Sequence, residues 1–435
     1  MAAGDNLLST WATFLYELRG KVVQLFPTEA PFLAELSGVG DSESVGRFTQ
    51  DMDGNRDVFS DKSVRHTLIM AQLGGAGNPQ EAGTWNAPHA LQTKQVNINL
   101  VRFLMPFQLS VDVERDSANK PNASAIEQLT DNARISLARV ENLELLGDGS
   151  GLQIDITDGA TSLTTTCNVG ANFDVLLPGT VWDIRTRASG ADVSGGNRRR
   201  IASVNETTRV ITWDTAAQAS DGGSGSIVHT SADGIYIPGT YGPTETGTVL
   251  GIPAQGLEQA AAITGTFQTL DKAANPAWQG TDGRAGDTTS LALSDQILGA
   301  AMRRARRAGL GAYDFGIGDP ACIDLYKDGK LAQVRYEPQF GKIKSGFPGI
   351  IYDGGDKPFP LIKEPAHKKN GIKLIDKKSF QLYGDAKSPG FLEDDGAMFR
   401  RFTRTFMKEA DLVDRMQMGV IKCNTIVFLN NLAQA

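Results

Sequence analysis

Cysteine and histidine are scarce in this chain. Its 435 residues hold three Cys and four His. Cys167, Cys322 and Cys423 lie far apart with no C-x-x-C pair. Neither a zinc knuckle nor a disulfide framework is therefore expected, and a reducing, intracellular origin is the plain reading. His66, His89, His229 and His367 fall in four separate segments. None has a second His or Cys at ligand spacing, so no metal site is expected. The patterns G-x-S-x-G, H-E-x-x-H and G-x-x-x-x-G-K-[ST] are all absent. No catalytic residue, cofactor-binding residue or cofactor is nominated, and the chain is not read as an enzyme. No run approaches the roughly 18 apolar residues of a membrane span. The opening stretch, "MAAGDNLLSTWATFLYELRGK", carries an early acid and no basic region before an apolar run, so it does not read as a secretory signal. Basic residues are outnumbered, 43 against 50, for a net charge of −7. That balance argues against a dedicated nucleic-acid gripper, which carries a basic footprint.

What is present is enough apolar residue, 40%, to bury a core, and enough glycine, 48 residues, for many turns. The length suggests roughly two to four structural units. Residues 6–25 read as an amphipathic helix stopped by Pro27 and Pro31. In residues 91–113, Val96, Ile98 and Leu100 alternate with polar residues, and then Val101, Phe103, Met105, Phe107, Leu109, Val111 and Val113 do so one step out of phase. Period 2 means strand, and the slip predicts a bulge or a change of partner near Leu100 and Val101. "SVRHTLIMAQL" upstream supplies a mate, which makes a long two-stranded arm. Such a hairpin is marginal alone and needs another surface to support it.

Residues 124–146 form the clearest helix, a rod of roughly 35 Å. Ser124 and Glu127 make a capping box, and Ile126, Leu129, Ala133, Leu137 and Val140 make a stripe. From 156 to 240 short β runs alternate with Gly, Ser, Asn and Asp clusters, including a hairpin around Glu206 and Thr207, so a small all-β module is expected. Residues 294–308 form a helix with Ser294 as N-cap and Gly309 as stop. Strands and short helices follow, and "MGVIKCNTIVFLNNL" reads as one long apolar closing strand.

Five stretches offer chemistry and are weighed against plainer readings. "ELLGDGSG", Glu144 to Gly151, resembles a phosphate cradle in composition. Such loops precede a helix, whereas this one follows one, where carbonyls and a negative dipole end repel phosphate. Gly147 instead fits a helix stop. "DMDGNRD" spaces oxygens as a calcium loop does, but Arg56 and Lys62 stand where Gly and Glu are required. On the helix that carries "MRRARRAG", Met302 to Gly309, Ile297, Leu298, Ala301 and Ala305 face a core and four arginines face out, toward solvent or a neighbouring subunit rather than DNA. "NRRRI", Asn197 to Ile201, is a shorter case of the same kind, and "LEDDG" reads as a turn. Trp182, Trp213 and Tyr236 could stack on sugars, but a core role for them is the plainer reading.

The order of parts resembles the major capsid proteins of tailed double-stranded DNA bacteriophages, the Hong Kong 97 type of fold. "SLARVENLELLGDGSG" is similar to the end of that family's spine helix. In "GIPAQGLEQAAAITGTFQTLDKAANPAWQG", Gly256, Leu257, Asp271, Pro276 and Trp278 carry the family's pattern. "GFLEDDGAMFRRFTRTFMKEADLVDRMQMGVIKCNTIVFLNNL" resembles its closing strands. The resemblance implies an α+β phage major capsid fold with an inserted small all-β domain. Its parts would be an N-terminal arm (1–45), an E-loop hairpin and adjoining strand (46–113), a peripheral domain with spine helix (114–155), the inserted β domain (156–240), the peripheral continuation (241–300), an axial domain (301–405) and a closing strand (406–435). It implies a structural protein of the virion capsid, made in the host cytoplasm, that self-assembles as pentamers and hexamers into an icosahedral shell around double-stranded DNA. The partners implied are other copies of the chain, a separate scaffolding protein, a portal, a decoration protein and packaged DNA held non-specifically, with no membrane. Some members crosslink an E-loop Lys to a neighbour's Asn, and Lys94 and Asn424 are the candidates by location. Two other readings stand beside it: a nanocompartment shell of the encapsulin kind, and a carbohydrate-binding protein built on the β module.

Overall fold

The computed structural model describes residues 31–37, 47–48, 58–59, 63–70, 92–110, 125–214, 226–240, 254–308, 313–333, 340–342, 348–352, 358–384, 390–391, 400–401 and 407–434. The helix expected over 6–25, the "DMDGNRD" and "LEDDG" stretches, Ser124 and Gly309 lie outside them. Among the described residues no helix is long and apolar enough to cross a membrane.

The architecture is α+β, and one strand organises it. Met407–Val420 pairs antiparallel with Val101–Ser110 along ten residues, and also with Phe380–Gly384, Gly390–Phe391 and Arg400–Arg401. Its period-2 pattern explains its place. Ala410, Leu412, Met416, Met418 and Val420 share one face and are all buried. Onto them packs the central core, with Phe103, Phe380 and Leu382 from the sheet and Ala133 and Leu137 from the long helix.

The phase slip at Leu100 is a change of partner. Thr93–Asn99 pairs with Ser63–Ile69, with Val64 opposite Ile98 and His66 opposite Val96. One residue later Val101–Ser110 belongs to the central sheet. Val96 and Ile98 are buried before the slip and Phe103 after it. The chain thus leaves the arm and enters the body in one step.

Four further helices accompany the long one. We label Pro31–Ser37 α1, the spine Ala125–Leu146 α2, Leu257–Ala261 α3, Asp295–Ala308 α4 and Pro320–Gln333 α5. A seven-stranded mixed sheet runs in the order Thr281–Asp282, Val427–Leu429, Ile372–Ile375, Phe315–Gly318, Phe359–Lys363, Pro348–Tyr352, Phe340–Lys342. Helices α4 and α5 share the core on one face of it through Leu298, Ala301, Ile323 and Tyr326. Phe315, Ile317, Ile362 and Ile375 face the other way and join the central core. Ser294 caps α4 as expected, with its hydroxyl accepting from the Ile297 N–H at 3.4 Å.

The inserted module is a six-stranded sheet, Leu152–Asp155, Asp233–Tyr236, Val181–Thr186, Arg199–Asn205, Val210–Trp213 and Thr164–Thr166, with Ala160–Ser162 and Ile227–His229 as a separate pair. The hairpin around Glu206 and Thr207 is present, Asn205 facing Val210. The module has its own core of Ile154, Ile184, Ile201, Ile211, Trp213 and Ile235, and Leu143 of α2 enters it.

Several boundaries move. The module's sheet begins at Leu152 rather than 156, because Leu152–Asp155 pairs with Asp233–Tyr236. A boundary at 300/301 would cut α4 in its middle. "MGVIKCNTIVFLNNL" is not one strand. It breaks after Val420, turns through Cys423–Thr425 and re-enters a different sheet as Val427–Leu429. The Thr425 hydroxyl holds the break, contacting the Lys422 carbonyl at 2.8 Å and the Ser379 hydroxyl at 2.9 Å.

The spine stops after Leu146, and the Gly147 N–H closes onto the Glu144 carbonyl at 3.0 Å. The left-handed glycines of this turn are Gly149 and Gly151, with φ of 80° and 75°, rather than Gly147. The tight glycine is Gly256, across from it. A Cβ there would overlap the Gly147 carbonyl oxygen and sit 2.6 Å from the Glu144 carbonyl oxygen. Gly256→Ala is therefore expected to cost about 1–3 kcal/mol of stability, the usual range for overpacking. Urea unfolding read by circular dichroism measures it, and Gly329→Ala, where φ is not positive and a Cβ meets nothing within 4 Å, serves as the contrast for steric overlap.

Candidate functional site: the arm and its anchorage

The described arm is two main strands with one face on the body. Val64, His66, Leu68, Val96 and Ile98 point to that face, and Thr67, Ile69, Thr93 and Gln95 are exposed. Ile69 is 69% exposed, an unusual position for a β-branched apolar side chain. Lys94 is exposed on the arm. Asn424 is half-buried in the turn before Val427–Leu429, and its carbonyl accepts from the Thr281 hydroxyl at 2.8 Å.

At its root the arm is fixed by a second small core, Val64, Ile98 and Tyr383. The Tyr383 hydroxyl donates to Gln381 Oε1 and contacts His66 Nε2. A phenol has one proton, so it accepts from His66, whose Nε2 carries the hydrogen. Gly419 makes room beneath. A Cβ there would overlap the Tyr383 ring at Cε2 and lie 2.7 Å from Ile98 Cδ1.

The motif segment supplies the second anchorage. Gly256 precedes α3, Leu257 is fully buried, and Trp278 is buried with its indole N–H toward the Phe267 carbonyl at 3.4 Å. Asp271 accepts from the Ala273 N–H at 2.9 Å, and Pro276 opens a single turn of 3₁₀ helix. Lys272 is the residue that sequence reasoning missed. It is fully buried, and its ammonium donates to the carbonyls of Gln259, Ala260 and Ala262 at 2.8, 2.6 and 2.8 Å. Those are orphan acceptors at the end of α3, where a cation also meets the negative end of the helix dipole. The Phe267 ring lies 5.3 Å below it.

A third feature is a buried ionic cluster. Lys373 pairs with Glu258 and donates to His367 Nε2 at 3.0 Å. His367 Nδ1 therefore carries the proton and donates to the Lys368 carbonyl at 2.8 Å. Burial and the adjacent Lys373 charge hold the imidazole down at about 3, so it stays neutral. Burial alone would raise the Glu258 carboxyl, but the charge and hydrogen bond of Lys373, with the charge of Lys368, overcome it and hold the group at about 2. This cluster ties α3 to the seven-stranded sheet.

The module is bolted to the same region. Asn172 Nδ2 donates to the Pro365 and His367 carbonyls at 2.6 and 2.9 Å, Lys369 pairs with Asp174 at 2.6 Å, and Arg139 of the spine donates to the Val175 carbonyl at 2.6 Å.

Other sequence candidates fall elsewhere. On α4, Arg303, Arg306 and Arg307 are exposed as expected, while Arg304 turns in to the Gly283 carbonyl. "NRRRI" departs from expectation. Arg199 is fully buried and donates to the carbonyls of Gly195 and Asp214, because strand alternation sends it inward with Ile201. Trp182, Trp213 and Tyr236 are 3%, 1% and 2% exposed, with both indole N–H groups bonded to threonine hydroxyls, so none can stack on a sugar. All three cysteines are free and buried, and burial pushes each thiol up to about 12. Among the described residues no group of three or more His, Cys, Asp or Glu side chains could hold a metal ion.

No family model matches the chain, and no curated protein does. Solved structures do. A chain of the cyanophage A-1(L) capsid asymmetric unit is similar over 95% of this chain and 96% of its own, with 13% identity and a TM-score of 0.51. The holo-SrpI encapsulin complex from Synechococcus elongatus PCC 7942 is similar over 97% and 95%, with 10% identity and a TM-score of 0.47. The capsid of a native GTA particle follows at 9% identity and 0.44 over 95% and 94%. The chain has the phage capsid fold across nearly its whole length.

Glu144 gives this anchorage a pH dependence. Its Oε2 accepts from the buried Ala254 N–H at 2.8 Å, yet burial raises its carboxyl from an ordinary value near 4.5 to about 7. The folded chain thus holds a proton between those values that the unfolded chain has released. Its contribution is fully present below about pH 4.5 and is lost as pH rises through 7, a change of about 3 kcal/mol at 1.36 kcal/mol per pH unit. Glu144→Gln keeps the acceptor and removes the charge. It is expected to match wild type near pH 4.5 and exceed it by several degrees in Tm above pH 7.5, as read by scanning calorimetry across that range.

Proposed function

We propose that this chain is the major capsid protein of a tailed double-stranded DNA phage and acts as a non-enzymatic shell subunit. The observation that carries this reading is the match to a cyanophage capsid chain over 95% of one molecule and 96% of the other. The physical character of the molecule supports it. A strand arm with an exposed outer face is a liability in a monomer and an asset where a neighbour covers it. Head-to-tail association of one such surface with a different one closes into rings. A net charge of −7 suits a wall that contains DNA without gripping it.

In this reading residues 46–99 form the E-loop, α2 is the spine, residues 152–240 are the inserted domain, and the seven-stranded sheet with α4 and α5 is the axial domain. The spine, α3 and the central sheet are the peripheral domain, and residues 1–45 are the N-terminal arm. The partners are other copies of the chain in pentamers and hexamers, with a scaffolding protein, a portal and a decoration protein beside them. The protein is made in the host cytoplasm and resides in the virion, around packaged DNA. Lys94 and Asn424 are the pair to examine for a covalent link between subunits.

The purified chain is expected to form rings and closed shells, visible by negative-stain microscopy and sedimenting far faster than a 46.6 kDa species. A monomer that persists under every condition, with and without a co-expressed scaffold, sinks the proposal. Shells recovered from infected cells with double-stranded DNA inside favour a virus, and shells filled with a protein cargo favour a nanocompartment.

A further inference from the structure

The hairpin Thr266–Phe267/Leu270–Asp271 turns through two residues, Gln268 and Thr269. Both have positive φ, 49° and 67°. A two-residue turn of that kind is ordinarily built from Asn-Gly, because only glycine and, less readily, Asn or Asp adopt it without strain. A glutamine followed by a β-branched threonine is a poor choice for the turn itself, so the side chains must be wanted for another reason.

The Gln268 side chain, its N–H and carbonyl, and the Thr269 hydroxyl are all engaged. The Gln268 side chain is fully buried against the end of the closing strand. With its carboxamide oriented to satisfy both atoms, Oε1 accepts from the Val420 N–H at 2.9 Å and Nε2 donates to the Val420 carbonyl at 3.1 Å. The Gln268 N–H donates to Gln255 Oε1 at 3.0 Å. Gln255 is in turn held by Gln417, whose Oε1 accepts from the Gln255 N–H at 3.3 Å and whose Nε2 donates to its carbonyl at 2.8 Å. The turn's outer side meets the arm. The Asn97 N–H lies 3.2 Å from both the Gln268 carbonyl and the Thr269 hydroxyl. Asn97 sits in the arm strand three residues before the partner change at Leu100.

From this we infer that Gln268 and Thr269 are positioning residues that set the direction in which the arm leaves the body. The strained turn is a clamp with two jaws. One jaw is the Gln268 carboxamide on Val420 of the central sheet. The other is the Gln268 carbonyl and Thr269 hydroxyl on Asn97 of the arm. The arm's root is a hinge in chemical terms, since Leu100 lies between the two sheets, and the small core around Tyr383 holds it on the opposite flank. Three neutral carboxamides make the links on the body side, so the clamp does not titrate. If the arm reaches a neighbouring subunit, its exit angle fixes the angle between subunits and so the curvature of the shell. That last step rests on the shell reading above; the clamp itself does not.

The test replaces the clamp with a better turn. Gln268→Asn with Thr269→Gly installs Asn-Gly, which favours the same backbone. It shortens the carboxamide so that it no longer reaches Val420 and removes the hydroxyl from Asn97. Hydrogen–deuterium exchange on the full-length chain reads the clamp directly. Backbone amides of residues 93–99 are expected to exchange at least tenfold faster than in wild type, with residues 372–375 of the seven-stranded sheet unchanged and thermal stability kept within a few degrees. Exchange at 93–99 within twofold of wild type overturns the clamp. Should the double variant not fold, Thr269→Gly alone decides: exchange of 93–99 rising at least threefold supports the clamp, and an unchanged rate overturns it. Electron microscopy of assembled particles reads the consequence. A broadened or shifted diameter distribution supports control of curvature, and shells of uniform wild-type diameter from a chain whose arm exchanges tenfold faster overturn it. A wild-type chain that never assembles would count against the shell reading and leave the exchange result to judge the clamp.

Discussion

The pairing of Met407–Val420 with Val101–Ser110 is the constraint on which the rest depends. It joins residues some 300 positions apart, so its ladder must repay the entropy of closing a very long loop before it contributes anything. What repays it is burial. The even-numbered face of Met407–Val420 supplies a row of apolar side chains to the core on which the spine rests. Every other part takes its position from that ladder. The arm leaves at the Val101/Met416 end, and just beyond that same end the break at Cys423 sends the chain to the seven-stranded sheet. The segment before α3, bonded to the spine through Glu144 and Ala254, is held to the ladder there by Gln255 and Gln417. Contacts of such sequence separation form late and slowly, which makes exposed arms and unpaired edges a hazard while the chain folds.

The parts of this fold written in periodicity were legible in the sequence. Alternation records which face is inward, so the slip between Leu100 and Val101 exposed a change of partner without any knowledge of the partner. The apolar stripe of α2 and its glycine-rich exit gave the spine and its end. Parts that depend on distant polar partners were not legible. Nothing local marks Lys272 as buried, because its three acceptors are carbonyls supplied by the end of α3. Nothing local marks Gln268 either, since Val420 and Gln255 come from other segments. Arg199 shows the same limit from the other side. A run of three arginines reads as a solvated face until strand alternation turns the middle one inward.

The buried polar groups share a design. Glu258, His367 and Lys373 satisfy one another, Lys272 satisfies backbone, and the glutamines satisfy backbone and each other. Each group joins two segments that apolar packing alone would hold only loosely in register. Hydrophobic contacts fix that segments meet, whereas hydrogen-bonded groups fix where. The carbonyls at the ends of α2 and α3, which need partners once water is removed, receive them from Glu258, Gly147 and Lys272.

The last turn of α2 is enclosed on all sides, from Glu141 to Leu146. Leu145 and Leu146 belong to the central core and Leu143 to the core of the inserted module, with Val140 touching both. One helical turn is thus a party wall between two cores. Melting of either side strips a wall from the other, which couples the stability of the inserted module to that of the body.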